Sequence, residues 1–592
     1  MFKNGGWSGM FASSRLRRCI LATVLGSSAS VAGQSTPAAP APAPASETPV
    51  IRVDTRLVVI DVVVTDKQGR PVTGLKKEDF TLKENGKEQS IKAFEAHLPA
   101  VQPQGFPKLN LPPNVYTNVP TQPLESSVNI VLFDLVNTPL TDQAYAREQM
   151  VQFLKTLPPG QRVALFVLGS RLRMLSGFTT DSNQLVAAAK KLIPHASELL
   201  TTEEDKQRSE DQITEMAQRA PNPGFFDTMR DFLADEEQFR TTARVEDTLS
   251  ALDALARGVS GYAGRKNLLW LSEGFPVNFG PDLDSSYPFM NSRSYASLLQ
   301  ETSGLLSAAQ MAVYPIDIGG LKTGGVAISS SGLGATGFRN GRSRYGTMIS
   351  RQGSEMEAAH SAMEEIAKDT GGKAFYNNND LKSAMVRSVE RGTNYYSIAY
   401  TPANRTWDST YRHVEIKLDQ SGLKTEYRRG YFATSNPNPE KESAQRLIAA
   451  MQPGMPDSTM IFFGARVLPL KPGEAAATLT YVVNAEHIVF TATPDKRQHA
   501  KMEMVAVAWD KNAKPAGSTS QTIELALKQE TYEKELRDGI RAEMKLALKP
   551  GEYHLRLGLM DDATGKMGTI EVPYSVPEVV PAVNPTSNPS AK

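Results

Sequence analysis

The stretch VNIVLFDLVNTPL, Val128 to Leu140, decides how the rest of the chain is read. Val128, Ile130, Val131, Leu132 and Phe133 form an almost unbroken apolar run, the pattern of a parallel strand covered by helices on both faces. Asp134 ends that run. In open α/β sheets ligands bind beyond the carboxyl ends of the strands, so a carboxylate followed by Asn137 and Thr138 is placed to hold a cation or a polar partner. The same three residues also suit local capping, because Asp, Asn and Thr side chains accept backbone N–H bonds at helix starts.

A chain of 592 residues is too long for a single core and predicts several domains, and 40% apolar with 22% charged residues is a globular composition. Lys plus Arg (65) and Asp plus Glu (64) nearly cancel, which removes the electrostatic footprint of sequence-independent nucleic-acid binding. At the N-terminus Arg15, Arg17 and Arg18 precede the apolar run Cys19 to Leu25 and then small residues through Gly33. That layout predicts a signal peptide over 1–33, with a retained anchor as the alternative, and hence a secreted or periplasmic protein of the cell envelope. No later stretch is long and apolar enough to span a membrane. Cys19 is the only cysteine and lies within the signal, so the mature chain has no disulfide, thiolate nucleophile or cysteine-based metal site.

Residues 34–50 are Pro/Ala-rich and predict a disordered linker. Over 51–97 the period becomes two, with Asn85-Gly86 a hairpin turn, giving a β unit of about four strands. Residues 98–126 read as a linker. From 127 to 393 apolar strands alternate with helices: after the Asp134 strand come a helix to Leu157, strands at Val163–Leu168 and Arg171–Phe178, and a helix over Asn183–Ile193. The span 195–243 reads as a charged helical insertion, a solvated face rather than a binding tail. A helix over Val245–Val259, strands at Asn267–Leu271, Met311–Ile318 and Gly372–Tyr376, and helices at Met356–Ala367 and Leu381–Glu390 follow. The Gly/Ser/Arg-rich span 319–352 reads as a flexible loop. Residues 394–434 hold three strands, 440–578 a short helix and about seven more strands, and 579–592 a disordered tail. The units 51–97 and 394–434 are each too small for a core, so they are expected to pack together as one sandwich with the α/β region inserted between them.

The order of motifs resembles a von Willebrand factor A (VWA) domain, and more narrowly the VWFA-related family of acidobacterial secreted proteins. The resemblance rests on FDLVNT at Phe133–Thr138, GRKNLLWLSEGFP at Gly264–Pro276, VYPIDI at Val313–Ile318, and the Thr370–Gly372 TGG followed by YYSIAYTP and RRGYF. With VTDKQGRPVTGLKKEDFTLKENGK it covers roughly residues 51–435. It implies an α/β plus all-β fold: a doubly wound, Rossmann-like VWA domain flanked by β-sandwich domains. It also implies a metal-ion-dependent adhesion site, in which Asp134 matches the first position, Thr138 the second hydroxyl, Thr242 or Thr241 the loop threonine and Glu273 the later acid. Val136 stands where the first serine is usual. Magnesium requires near-octahedral oxygen geometry and valine supplies no oxygen, so the implied Mg2+ site of Asp134, Thr138, Thr242 and Glu273 is degenerate.

Other chemistry finds little footing. The Gly332–Gly337 stretch GLGATG lacks the strand before it and helix after it that dinucleotide binding requires. The seven histidines never fall at metal-ligand spacing, and no serine sits in a Gly-x-Ser-x-Gly turn. Asp317 reads as a further carboxylate at a strand end, and Glu364 and Glu365 as a solvent face. Tyr395, Tyr396, Tyr400, Tyr411, Tyr427 and Tyr431 read as exposed cross-strand pairs. The expectation is therefore a binding protein without catalytic residues, which recognises an extracellular or envelope protein through the loops at Asp134, Thr138, Thr242 and Glu273. A metal-independent envelope scaffold with a vestigial site is the alternative.

Overall fold

A computed structural model describes residues 57–97, 111–119, 127–219, 224–262, 264–275, 278–279, 293–320, 341–433, 439–470, 474 and 476–577. The signal at 1–33, the linker at 34–50, the glycine-rich stretch at 332–337 and the tail at 579–592 lie outside the described residues. The architecture is mixed α/β with several sheets. The chain opens with β1 (Val58–Thr65), β2 (Phe80–Glu84), β3 (Lys87–Glu88), β4 (Ile91–His97) and β5 (Val115–Thr117). A central region follows: β6 (Val128–Asp134), α1 (Leu140–Lys155), β7 (Arg162–Leu168), β8 (Leu172–Thr179), α2 (Ser182–Lys190), α3 (Glu203–Arg219), α4 (Gly224–Val259) and β9 (Lys266–Ser272). It ends with the short β10 (Asn278–Phe279) and β11 (Arg293–Ser294), then α5 (Ala296–Ala308), β12 (Met311–Asp317), α6 (Gly341–Thr370) and α7 (Leu381–Thr393).

The central sheet has the order β12-β9-β6-β7-β8. Its first four strands are parallel, and β8 closes the edge antiparallel to β7. Every residue of β6, β7, β9 and β12 is buried. Successive residues divide between two cores, as the two-residue period of a strand requires. Ile130, Leu132, Phe166, Leu268 and Trp270 face α4, α5 and α6, whereas Val131, Phe133, Leu165, Leu269 and Leu271 face α1, α2 and α7. Helices on both faces explain why these strands read as continuous apolar runs.

The remaining strands are β13 (Tyr395–Tyr400), β14 (Tyr411–Leu418), β15 (Lys424–Glu426) and β16 (Gly430–Phe432), then α8 (Pro439–Ala450), β17 (Phe463–Val467), β18 (Ala476–Val483), β19 (Thr491–Ala492), β20 (Arg497–Asp510) and β21 (Pro515–Lys528). After α9 (Gln529–Asp538) come β22 (Ile540–Ala547), β23 (Gly551–Asp561) and β24 (Met567–Val576). Two four-stranded sheets, β15-β1-β13-β4 and β16-β14-β2-β3, share one core that includes Ile60, Leu82, Ile398, Tyr400 and Ile416. β1 and β13 pair antiparallel, Val58 opposite Tyr400, so strands from both sides of the central region make one unit. The β2–β3 turn carries Asn85 and Gly86 at positive φ (47° and 78°), the conformation an Asn-Gly hairpin turn needs. The sheets β22-β18-β17-β5 and β19-β20-β23-β24, with β21 beside β20, share a separate core around Leu479, Tyr481, Met502, Leu557 and Val572.

Several sequence expectations are corrected by these elements. The span 98–126, read as a linker, contributes β5 to the C-terminal sheet, where Val115–Thr117 pairs with Gly464–Arg466 of β17. Gly372–Tyr376 forms no strand; only Phe375 bridges to Ile316. Residues 341–352, read as loop, belong to the helix α6. The helix expected from Val245 begins at Gly224 and runs for 36 residues. Four of the tyrosines read as exposed, Tyr395, Tyr396, Tyr400 and Tyr431, are buried, with Tyr400 and Tyr431 donating to the buried Glu84 carboxylate at 2.7 and 2.8 Å. Tyr396, Tyr400 and Tyr431 face the core shared by the two sheets, whereas Tyr395, on the opposite face of β13, is covered by the His97 ring and the Arg265 guanidinium.

At the N-terminal end of the central strands, Arg265 ties three segments together. Its guanidinium is buried, donates to the Gly371 carbonyl (3.0 Å) and the Tyr314 hydroxyl (3.2 Å), and lies 3.7 Å from the Asp61 carboxylate of β1. Gly372 fits there because any Cβ would collide with the Val313 carbonyl oxygen. Beside Arg265, the buried Lys266 amine donates to the Ala309 carbonyl (2.8 Å), and burial lowers its pKa from 10.5 to about 7. Between pH 7 and about 10.4 the unfolded chain then binds more protons at this group than the folded one, so stability rises with pH through that window. The urea midpoint is expected to be higher at pH 9 than at pH 7, and Lys266→Met is expected to remove most of the rise. A wild-type midpoint that is flat or falling over this interval would refute the assignment.

Candidate functional site

The carboxyl ends of β6, β9 and β12 lie side by side, and each ends in a polar side chain: Asp134, Ser272 and Asp317. Asp134 has no exposed surface. A carboxylate removed from water needs compensating donors, and this one has five. Its Oδ1 accepts the backbone N–H groups of Val136 and Asn137, both at 3.0 Å. Its Oδ2 accepts the Asn137 side-chain amide (2.8 Å), the Ser272 hydroxyl (2.9 Å) and the Trp270 indole N–H (3.1 Å).

Those donors are held in turn. Asn137 also donates to the Thr248 hydroxyl of α4 at 2.7 Å, and Thr248 donates to the Arg244 carbonyl. The Ser272 hydroxyl accepts the Gly274 N–H at 2.9 Å, which directs its own proton toward Asp134. Burial pushes the Asp134 carboxyl up, while the Asn137, Ser272 and Trp270 donors favour its ionised form. Because both oxygens receive only donors, the arrangement suits a carboxylate.

The residues expected to ligate a cation occupy different surroundings. Thr138 donates its hydroxyl to the Asp134 backbone carbonyl at 2.5 Å, closing the turn. Thr242 donates to the Gln238 carbonyl (2.8 Å) and shares a 2.6 Å hydrogen bond with the Tyr295 hydroxyl. Thr241 is buried on the same helix, Val136 is buried without an oxygen to offer, and Glu273 is half-buried directly after β9. The residues do not fit a magnesium ion. The positions around the carboxylate are filled by N–H and O–H hydrogens, and an indole nitrogen has no lone pair with which to become an acceptor. A cation there would meet hydrogens pointing at it. Among the described residues no group of three or more His, Cys, Asp or Glu side chains is gathered as a metal site.

Asp317 has a separate set of partners. Its Oδ1 accepts the Gly319 N–H (2.9 Å), and its Oδ2 lies 2.9 Å from His360 Nε2 on α6. The His360 ring stacks on Tyr376 at 4.5 Å, and Tyr376 donates to Glu364 at 2.9 Å. Glu364, read as a solvent face, is therefore engaged by Tyr376 and by Lys368. Sequence reasoning missed Asn137 as the bridge to α4, and missed Trp270, Ser272, Thr248 and His360. The spacing of Trp270 and Ser272, two apart on one strand and hence on one face, was the available signal for that pair.

Around this edge of the sheet the surface is apolar in places. Leu140 and Tyr145, at the start of α1, are 49% and 47% exposed, and the Tyr145 hydroxyl donates to the Asn379 carbonyl at 2.7 Å. No described helix is long and apolar enough to cross a membrane.

No family profile matches the chain, and no curated protein matches it. Solved structures similar to it include a von Willebrand factor type A protein from Catenulispora acidiphila, 9% identical over 85% of this chain and 74% of that one, with a TM-score of 0.20. An aerotolerance-related membrane protein from Bacteroides fragilis is 10% identical over 45% of this chain and 98% of its own, with a TM-score of 0.23. Proximal thread matrix protein 1 from the mussel byssus, with a zinc-occupied MIDAS motif, is 12% identical over 49% and 50%, with a TM-score of 0.22.

Asp134→Asn puts an amide N–H2 opposite the indole and hydroxyl donors and leaves at least one of them unsatisfied in a dry site. It is expected to destabilise the chain by about 3 kcal/mol or more, read from urea denaturation. An Asp134→Asn variant as stable as the wild type would show that the donors do not depend on the charge.

Proposed function

We propose that the chain is an exported, VWA-type interaction protein of the cell envelope. In this reading a doubly wound domain, flanked by β-sandwiches, presents the loops at its strand ends to another protein without a metal ion. One observation carries the metal clause: five donors from the protein surround the Asp134 carboxylate where a cation would otherwise bind. They perform the electrostatic service of a cation, and they fix the Asp134 loop against β9 and α4 before any partner arrives. The motif order of the sequence supports the VWA assignment, and the basic, apolar and small-residue N-terminus supports export. The chemistry of the edge supports a binding role. Asp134 is saturated by donors, and the Asp317 carboxylate is engaged by His360 and the Gly319 N–H.

A ligand that binds only the folded form raises its melting temperature. The chain is expected to melt at the same temperature, within about 1 °C, in EDTA and in millimolar Mg2+ or Zn2+. A saturable rise with either ion would restore the adhesion-site reading in which Asp134, Thr138, Thr242 and Glu273 close on a metal. The contact itself is tested at Leu140 and Tyr145, which are exposed and outside the buried network. Leu140→Asp with Tyr145→Asp is expected to abolish capture of the envelope partner while leaving the melting temperature unchanged. Undiminished capture would move the contact elsewhere on the molecule.

A further inference from the structure

Helix α4 does two jobs along its length. From Thr248 to Val259 it packs on the central sheet, with Leu249, Leu252, Leu255 and Val259 in the core. Thr248 stands level with the tip of β6, where it accepts from Asn137, and Thr242 is still held by Tyr295. The turns before Thr242 continue past the strand ends for about 26 Å, at about 1.5 Å per residue. There α4 is braced by α3 as an antiparallel pair. Thr202 and Asp205 cap the start of α3, Lys206 lies 3.5 Å from Glu237, and Ile213 and Phe226 are buried.

The outer face of this projecting pair is unusual. Phe225, Phe232 and Phe239 are 59%, 66% and 72% exposed, and Met216 of α3 is 48% exposed. The phenylalanines recur every seven residues, which puts them on one side of the helix in a stripe about 21 Å long. Full burial of such side chains removes roughly 150–250 Å² each from water, so a stripe left open on a solvated helix marks a contact surface. Carboxylates border it. Asp231, Asp235 and Glu236 lie beside Phe232 at the next position or one turn away, and Asp235 is exposed. Residues 203–244 hold eleven acidic and six basic side chains, a net charge of −5. A second copy of the same pair would bring −5 against −5, and an anionic lipid surface would also be repelled.

We propose that the Phe225–Phe232–Phe239 stripe is a docking surface for a basic amphipathic helix of a partner protein, distinct from the loops at the strand ends. The apolar face of that helix covers the phenyl rings, and its Lys or Arg residues meet Asp235 along the border, where Glu236 is already paired with Arg240 at 2.6 Å. Helix-on-helix docking of this kind reads anchors at heptad spacing.

The test uses the whole purified chain and a labelled 18-residue helical peptide of leucines at heptad positions with lysines elsewhere. Controls are a Leu/Glu peptide of the same pattern and a lysine peptide without leucines. Saturable binding of the Leu/Lys peptide alone is expected. Phe232→Ser with Phe239→Ser should weaken it at least about tenfold, whereas Leu468→Ser with Val489→Ser, two other exposed apolar positions, should not. Asp235→Asn should weaken binding at low salt and remove part of its salt dependence. Equal binding by the phenylalanine variant, equal binding of the leucine-free peptide, or no saturable binding would overturn the proposal. Light scattering that shows a wild-type dimer turned monomeric by Phe232→Ser and Phe239→Ser would also overturn it, in favour of a second copy.

Discussion

A charge that cannot reach water organises the centre of this molecule. Because β6 is covered by helices on both faces, the carboxylate at its tip is sealed in, and its own loop, β9 and α4 all contribute to holding it. The β6 loop gives two backbone amides and Asn137, β9 gives Trp270 and Ser272, and α4 holds Asn137 through Thr248. At this strand tip the charge is met by the dipoles of five protein donors. The outcome is a loop whose shape is fixed from within.

Much of the α/β region is legible in the sequence because its strands obey one simple constraint. The runs at Val128, Val163, Asn267 and Met311 are apolar on both faces apart from Asn129 and Asn267, which hydrogen-bond each other at 3.0 Å, and burial on both faces favours such runs. The departures have physical causes. Gly372–Tyr376 has strand-like composition, but Gly372 is present to let the backbone approach Val313, and only Phe375 reaches β12. Val115–Thr117 is too short and too surrounded by proline to announce itself as a strand; its pairing comes entirely from β17. Tyr396 and Tyr400 of β13 share one face, and their burial depends on the facing sheet of β2, β3, β14 and β16, whereas Tyr395 on the other face is covered by His97 and Arg265.

The site is less legible, for a related reason. Asp134 can be picked out by its position at the end of an apolar run, but its donors come from two segments, its own loop and β9, with α4 holding Asn137 in place, and their convergence is a property of the fold. Thr138 and Thr242 illustrate the ambiguity, since a hydroxyl that matches a ligand position in a motif serves equally well to bind a carbonyl of its own turn or helix. The motif residues Gly264–Asn267 and Thr370–Gly372 turn out to act at the opposite end of the sheet. Arg265 there joins β1, β12 and the Gly371 turn, and Thr370 accepts the Val313 N–H at 3.0 Å. Motif order thus reports the scaffold more directly than the chemistry of its rim.

The pairing of β1 with β13 bears on how the chain assembles. Val58 meets Tyr400, a partner roughly 340 residues downstream, and Val115 meets Arg466 roughly 350 residues downstream. Neither contact exists while the ribosome is still making the middle of the chain, and loop closure over such distances is slow unless the intervening stretch is already compact. Condensation of the central sheet draws its two ends together, which shortens the loop that the β1–β13 pairing has to close. For a polypeptide threaded through a membrane before it folds, a delay in that pairing is harmless; held in the cytosol, the unpaired strand edges would invite aggregation.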